Sequence, residues 1–138
     1  MKDILIIDGQ GGGIGKMLTT QLKRKNIDAR ITAVGTNAIA TAAMTKAGAD
    51  RSATGENSVV VLSRQADIIA GPLGIVMADS MLGEVTPKIA QAVGDSPAQK
   101  VLIPLSRCAT YVTLSGSGSM AEHLEDAVRH ICALVENN

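Results

Sequence analysis

Near the start of this 138-residue chain, seven residues, Gly9-Gln10-Gly11-Gly12-Gly13-Ile14-Gly15, have the composition of an anion-holding turn. Glycine accepts positive φ and lets a phosphate approach the backbone where a Cβ would otherwise stand. A helix starting near Gly13 would point its unbonded N–H groups, at the positive end of its dipole, toward that phosphate. Lys16 in the first helical turn and Arg107 near the fifth strand are of the type that pairs with phosphate. Thr36, Asn37 and Thr54 fall at helix starts, where capping is their ordinary role and ligand contact a second one. The candidate ligand-binding set is therefore Gly9, Gln10, Gly11, Gly12, Gly13, Ile14, Gly15, Lys16, Thr36, Asn37, Thr54 and Arg107. Gly13 is expected to need both positive φ and an unobstructed surface.

No residue set specifies a catalytic reaction. Asp8 precedes the turn, and a carboxylate there repels phosphate; it is expected to accept N–H groups of the loop, with magnesium ligation as the alternative. Cys108 beside Arg107 could be an activated thiol, but a small buried hydrophobe is the more ordinary reading. His123 and His130 lie seven apart on one helix, about 10 Å along its axis, too far to share a metal without other ligands. No metal site is assigned. The leading functional reading is a nucleotide- or phosphometabolite-binding domain, a sensor or accessory subunit. One alternative is an enzyme using Asp8, Lys16, Arg107 and Cys108 on a phosphorylated or carboxylated metabolite. The other is a structural homo-oligomeric subunit.

The elements that must position these residues alternate. Ile4–Ile7 reads as a short buried strand, followed by a helix with Ile14, Met17, Leu18 and Leu22 at helical spacing. Ala29–Val34 is a second strand and Asn37–Ala47 a helix capped by Thr36, with Gly48 past its end. Arg51–Ala53 reads as a brief third strand. Glu56 opens a short helix, although Val59-Val60-Val61-Leu62 is also β-prone. Asp67–Ala70 is a fourth strand, and Ile75–Leu82 and Pro87–Val93 read as helices, the latter with Thr86 as cap and Gly94 past its end. Ile75, Met77, Met81 and Leu82 are expected in the core, with any exposed portion available to a dimer interface. Lys100–Leu105 and Ala109–Leu114 read as fifth and sixth strands. Ser119 and Glu122 form a capping box before a last helix whose stripe is Leu124, Ala127, Val128, Ile131 and Val135.

Such alternation predicts an α/β fold over residues 1–138: one Rossmann-like, doubly wound, mostly parallel sheet with helices on both faces. Ligands in such folds sit beyond the carboxyl ends of the strands, where strand order reverses. Composition narrows the partners. With 13 basic and 13 acidic side chains the formal net charge is zero, and Tyr111 is the sole aromatic residue. Both facts argue against nucleic acid, which needs a basic field or stacking faces. No signal peptide or membrane span is apparent, and two unpaired cysteines suit a cytoplasmic protein.

Gly9, Gly13, Ile14 and Gly15 resemble the dinucleotide turn of short-chain dehydrogenases, implying a nucleotide site. That family's catalytic pattern is absent, because Ser115 stands four residues after Tyr111 where a lysine is required. Gly12-Gly13-Ile14-Gly15-Lys16 resembles the P-loop end of nitrogenase-reductase and ParA-like ATPases, but Met17 replaces the magnesium-binding Ser or Thr. Over nearly its whole length the chain resembles a family of short uncharacterised bacterial proteins, a domain of unknown function. The resemblance is carried by Ile7–Lys16, Gly35-Thr36-Asn37-Ala38, Ala53–Asn57 and Ile103-Pro104-Leu105, and implies a fold without a mechanism. The cofactor expected is a nucleotide, NAD(P) or a mononucleotide. The second strand ends in Val34-Gly35-Thr36-Asn37, without the acid that grips a ribose, so a mononucleotide or compact phosphometabolite is favoured over NAD(P).

Overall fold

The structure is a computed structural model that describes residues 1–105 and 110–137. Five parallel strands form one sheet in the order β3-β2-β1-β4-β5. The strands are β1 (Lys2–Asp8), β2 (Ala29–Gly35), β3 (Arg51–Thr54), β4 (Ile68–Pro72) and β5 (Gln99–Ile103). Between and after them run α1 (Gly13–Arg24), α2 (Ala38–Lys46), α3 (Glu56–Ser63), α4 (Pro87–Asp95) and α5 (Met120–Glu136). Strand order reverses between β1 and β4, so the crevice there opens beside the glycine turn that follows β1.

β1 is central because its Ile4–Ile7 run is wholly apolar and can be covered on both faces. Its side chains alternate between two cores, as a period of two requires. Ile4 and Ile6 face a layer containing Leu18 and Leu22 of α1, Met44 of α2 and the α5 stripe. Leu5 and Ile7 face Val59 of α3 and Ile89 and Val93 of α4. Gly71 in β4 lets the switch-point strands close up, since a Cβ there would strike the carbonyl oxygen of Ile7. All five residues of the expected α5 stripe are buried, and Ser119 and Glu122 make the reciprocal bonds of a capping box.

Five expectations need correction. Ile75–Leu82 is no helix: a short 3-10 turn, Leu73–Val76, is followed by a loop in which Asp79, Met81 and Leu82 all take positive φ. Ile75 is buried, but Leu82 is 97% exposed instead of core. Residues 110–114 form no strand, and Ala109 lies outside the described residues. The cap of α2 is Asn37, whose side-chain oxygen accepts from Ala40 N–H, and Thr36 is occupied elsewhere. Gly94 lies inside α4, which runs on to Asp95. The β-prone 59–62 run is helical within α3. Among the described residues no helix is long and apolar enough to cross a membrane.

Candidate functional site

The turn between β1 and α1 is tied down from two sides by carboxylates. Asp8, only 4% exposed, accepts the Gly9 amide at 2.7 Å and the Gly15 amide at 2.8 Å, one on each oxygen. Burial pushes its pKa up. The backbone hydrogen bonds from Gly15, Gly9 and Ile14 pull it down, and the charge of Glu84 adds to the upward push. With both oxygens bonded to amides, Asp8 is fitted to hold the loop rather than to ligate magnesium. Among the described residues no cluster of three or more His, Cys, Asp or Glu is gathered for a metal.

Glu84 is the second tether, and nothing in the sequence analysis singled it out. Its Oε1 accepts from Thr36 Oγ1 at 2.6 Å, Asn37 Nδ2 at 2.8 Å and Gln10 N–H at 2.9 Å. These bonds, that from Thr36 foremost, hold its pKa below the ordinary glutamate value. One carboxylate from the 77–86 loop thus fastens the glycine turn to the end of β2. A contact between residues 74 apart leaves no local signature; the sole hint is an acid between Gly83 and Val85.

The glycines divide by what surrounds them. Gly12 is the N-cap of α1 with φ 74°, and an added Cβ would lie 2.9 Å from the Ala40 Cα. Gly9 would meet Thr36 Oγ1 at 2.6 Å, and Gly15 would meet the Met44 sulfur. Those three are required by the protein's own packing. Gly11 and Gly13 are not: neither has positive φ, and an added Cβ at either has nothing within 4 Å. The positive φ expected at Gly13 is therefore carried by Gly12, with Gln10 at 49° as its partner in the turn.

Main-chain bonding divides the same way. Gly12 N–H donates to Gly9 O, Lys16 N–H to Gly12 O, and Gln10 and Gly15 are bonded as described. The amides of Gly11 and Gly13 have no acceptor among the described residues. They lie on the floor of a cleft of about 590 Å³ lined by Asp8 to Ile14, Met17, Met81, Leu82, Leu105 and Met120. That volume falls within the usual range for small-molecule sites.

Other candidates lie differently. Lys16 is exposed and does not line the cleft. Thr36 donates to Glu84, and Asn37 spends its amide group on Gln10 O and Glu84 and its oxygen on Ala40. Thr54 shares a 2.7 Å hydrogen bond with Thr41, away from the cleft lining. Arg107 and Cys108 lie outside the described residues. His123 bonds the Ser115 carbonyl at 2.8 Å and, with His130, lines a separate groove beside β5.

A parallel α/β sheet with an open, glycine-floored cleft at its switch point defines the class. The chain belongs to the family described as a domain of unknown function, DUF3842, whose model matches residues 3–136. Among solved structures it is similar to a dodecameric FMN-dependent UbiX-like decarboxylase from Escherichia coli O157:H7. That likeness has 17% identity and a TM-score of 0.48, covering 93% of this chain and 75% of the other. It is also similar to AibC, at 20% identity and a TM-score of 0.47, covering 97% of this chain and 40% of AibC. These likenesses concern the fold alone. No curated protein matches the sequence.

Proposed function

We propose that the protein binds a compact phosphate-bearing small molecule, a mononucleotide or phosphorylated metabolite, over the glycine turn. The observation that carries this reading is the coincidence at Gly11 and Gly13 of unbonded amides and open space on the cleft floor. A glycine that neither packing nor φ requires gives up conformational entropy on folding for no structural return, and Gly13 opens α1 as such a residue. A phosphate seated on those amides, at the positive end of α1, gives that cost a function. Lys16 and Arg107 remain candidate phosphate partners from the rim.

Asp8 and Glu84 hold the loop in shape and offer no obvious acid–base pair, so the reading is of a binding domain. A dinucleotide is less well served. β2 leads out through Val34-Gly35-Thr36-Asn37 with no acid of its own to accept from an adenosine ribose. Glu84, which reaches that place from the 77–86 loop, commits Oε1 to three bonds that brace the turn and has only Oε2 left over. Among the described residues no aromatic side chain lines the cleft to stack on adenine.

Calorimetry with AMP, FMN, NAD, NADP and inorganic phosphate tests the proposal on wild type and Gly13→Val. Because a Cβ at Gly13 meets open space, the variant should fold with wild-type stability and lose at least tenfold in affinity. AMP or FMN should bind at least as tightly as NAD(P). Equal binding by wild type and Gly13→Val, or a sub-micromolar NAD(P) affinity, would overturn it.

A further inference from the structure

We infer that the cleft over the glycine turn selects a phosphomonoester whose remaining part is apolar, in preference to a sugar phosphate or a nucleotide. This inference rests on the phosphate-binding reading above and narrows its ligand class. Above the backbone floor the walls are Ile14, Met17, Met81, Leu82, Leu105 and Met120, whose side chains cannot donate a hydrogen bond. Of the polar side chains lining the cleft, Asp8 is buried with both oxygens already bonded to amides. Gln10 alone keeps free hydrogen-bonding capacity among the described residues.

A pentose or hexose phosphate would bring several hydroxyls into this space with one amide side chain to meet them, and hydroxyls desolvated without partners weaken binding. An alkyl, acyl or prenyl body would instead replace water against the walls. Of the six methionines in the chain, Met17, Met81 and Met120 line this one cleft. Unbranched and polarizable, they can close around an irregular apolar shape. Met17 is 38% exposed and Leu82 97% exposed, so the mouth presents apolar surface to water that such a ligand would cover. Met81 and Leu82 hold φ of 56° and 57°, a conformation costly for side chains of their kind. Leu82 is thereby presented to solvent at the cleft, and Met81 lines the cleft while packing, half-buried, against the core below it.

The test is calorimetric titration of the full chain with inorganic phosphate, ethyl, butyl and hexyl phosphate, ribose 5-phosphate and AMP. Affinity should rise with alkyl length, by up to about fourfold per methylene buried, which is ~0.8 kcal/mol converted. Hexyl phosphate should bind more tightly than ribose 5-phosphate or AMP. Leu82→Ser together with Met81→Ser should flatten the dependence on chain length. Phosphate binding with no gain along the alkyl series, or tighter binding of ribose 5-phosphate than of hexyl phosphate, overturns this inference and leaves the phosphate reading standing. Failure of every phosphate compound to bind overturns both.

Discussion

Helices α1 and α2 begin beside each other at the carboxyl edge of the sheet, and their first turns are finished in opposite ways. At α2, Asn37 caps the Ala40 amide and then spends its amide group on Gln10 O and Glu84. At α1 the N-cap is Gly12, with no side-chain cap and no acidic residue in the first turn. Thr86 and the Ser119–Glu122 box close α4 and α5 as Asn37 closes α2. α3 also starts on a glycine, but it carries Glu56 in its first turn, where a carboxylate suits the helix dipole. The protein therefore completes most of its helix starts internally, and at the start of α1 leaves two amides, Gly13 in the helix and Gly11 in the turn before it, without an acceptor among the described residues. Asp8 supplies part of what a cap would, by taking the Gly15 amide, and leaves the amides of Gly11 and Gly13 unmatched among the described residues.

The largest expected effect separates glycines the fold needs from those it does not. Gly12→Val would force a β-branched residue to φ 74° and drive its Cβ into the backbone of Ala40. It should cost more than about 2 kcal/mol of stability, measured by urea denaturation. Wild-type stability of this variant would mean that the turn is not built as described.

A smaller loss is expected at the closed helix start. Asn37→Ala removes a cap, worth about 0.5–2 kcal/mol, together with two hydrogen bonds that brace the glycine turn. Denaturation should show a loss of about 1–2 kcal/mol. A variant as stable as wild type would remove the contrast between the two helix starts.

The smallest effect is on pH dependence. Glu84, with its pKa lowered by folding, contributes stability that is present above the ordinary glutamate range and lost as pH falls through its folded value. Asp8, with its pKa raised, has the opposite sign: its ionisation works against folding, so its contribution improves as pH falls toward the ordinary aspartate range. Carbon-detected NMR titration should find Asp8 above and Glu84 below their ordinary values. In Glu84→Gln the acid-side loss of stability should be shallower than in wild type. The reverse order of the two titrations would contradict the roles given to these carboxylates.

Local chemistry explains what could be read from the sequence. Ile4–Ile7, the Leu18/Leu22 spacing, the α5 stripe and the Thr86-Pro87 start each carry their signal within a few residues, and alternation of strands and helices gave the doubly wound sheet. The 75–82 segment misled because its apolar residues recur at helical spacing, whereas Leu82 is turned outward, and Met81 left half-buried against the core, by a loop anchored through Glu84 and through Ser80 Oγ on the Gly74 carbonyl. Within the candidate site, the glycine turn was legible as a motif. Which glycine bears positive φ, and which two are spare, depends on Ala40, Thr36 and Met44, residues that no pattern within the turn reveals.

The central claim is that the Gly11 and Gly13 amides are kept free for an anion. It is tested most directly by proton–nitrogen NMR of the glycine amides during titration with AMP and inorganic phosphate. The account predicts saturable downfield shifts at Gly11 and Gly13, with much smaller changes at Gly9, Gly12 and Gly15, whose amides are already bonded within the turn. Unmoved Gly11 and Gly13 resonances at millimolar ligand, or shifts spread evenly over the surface, would contradict it.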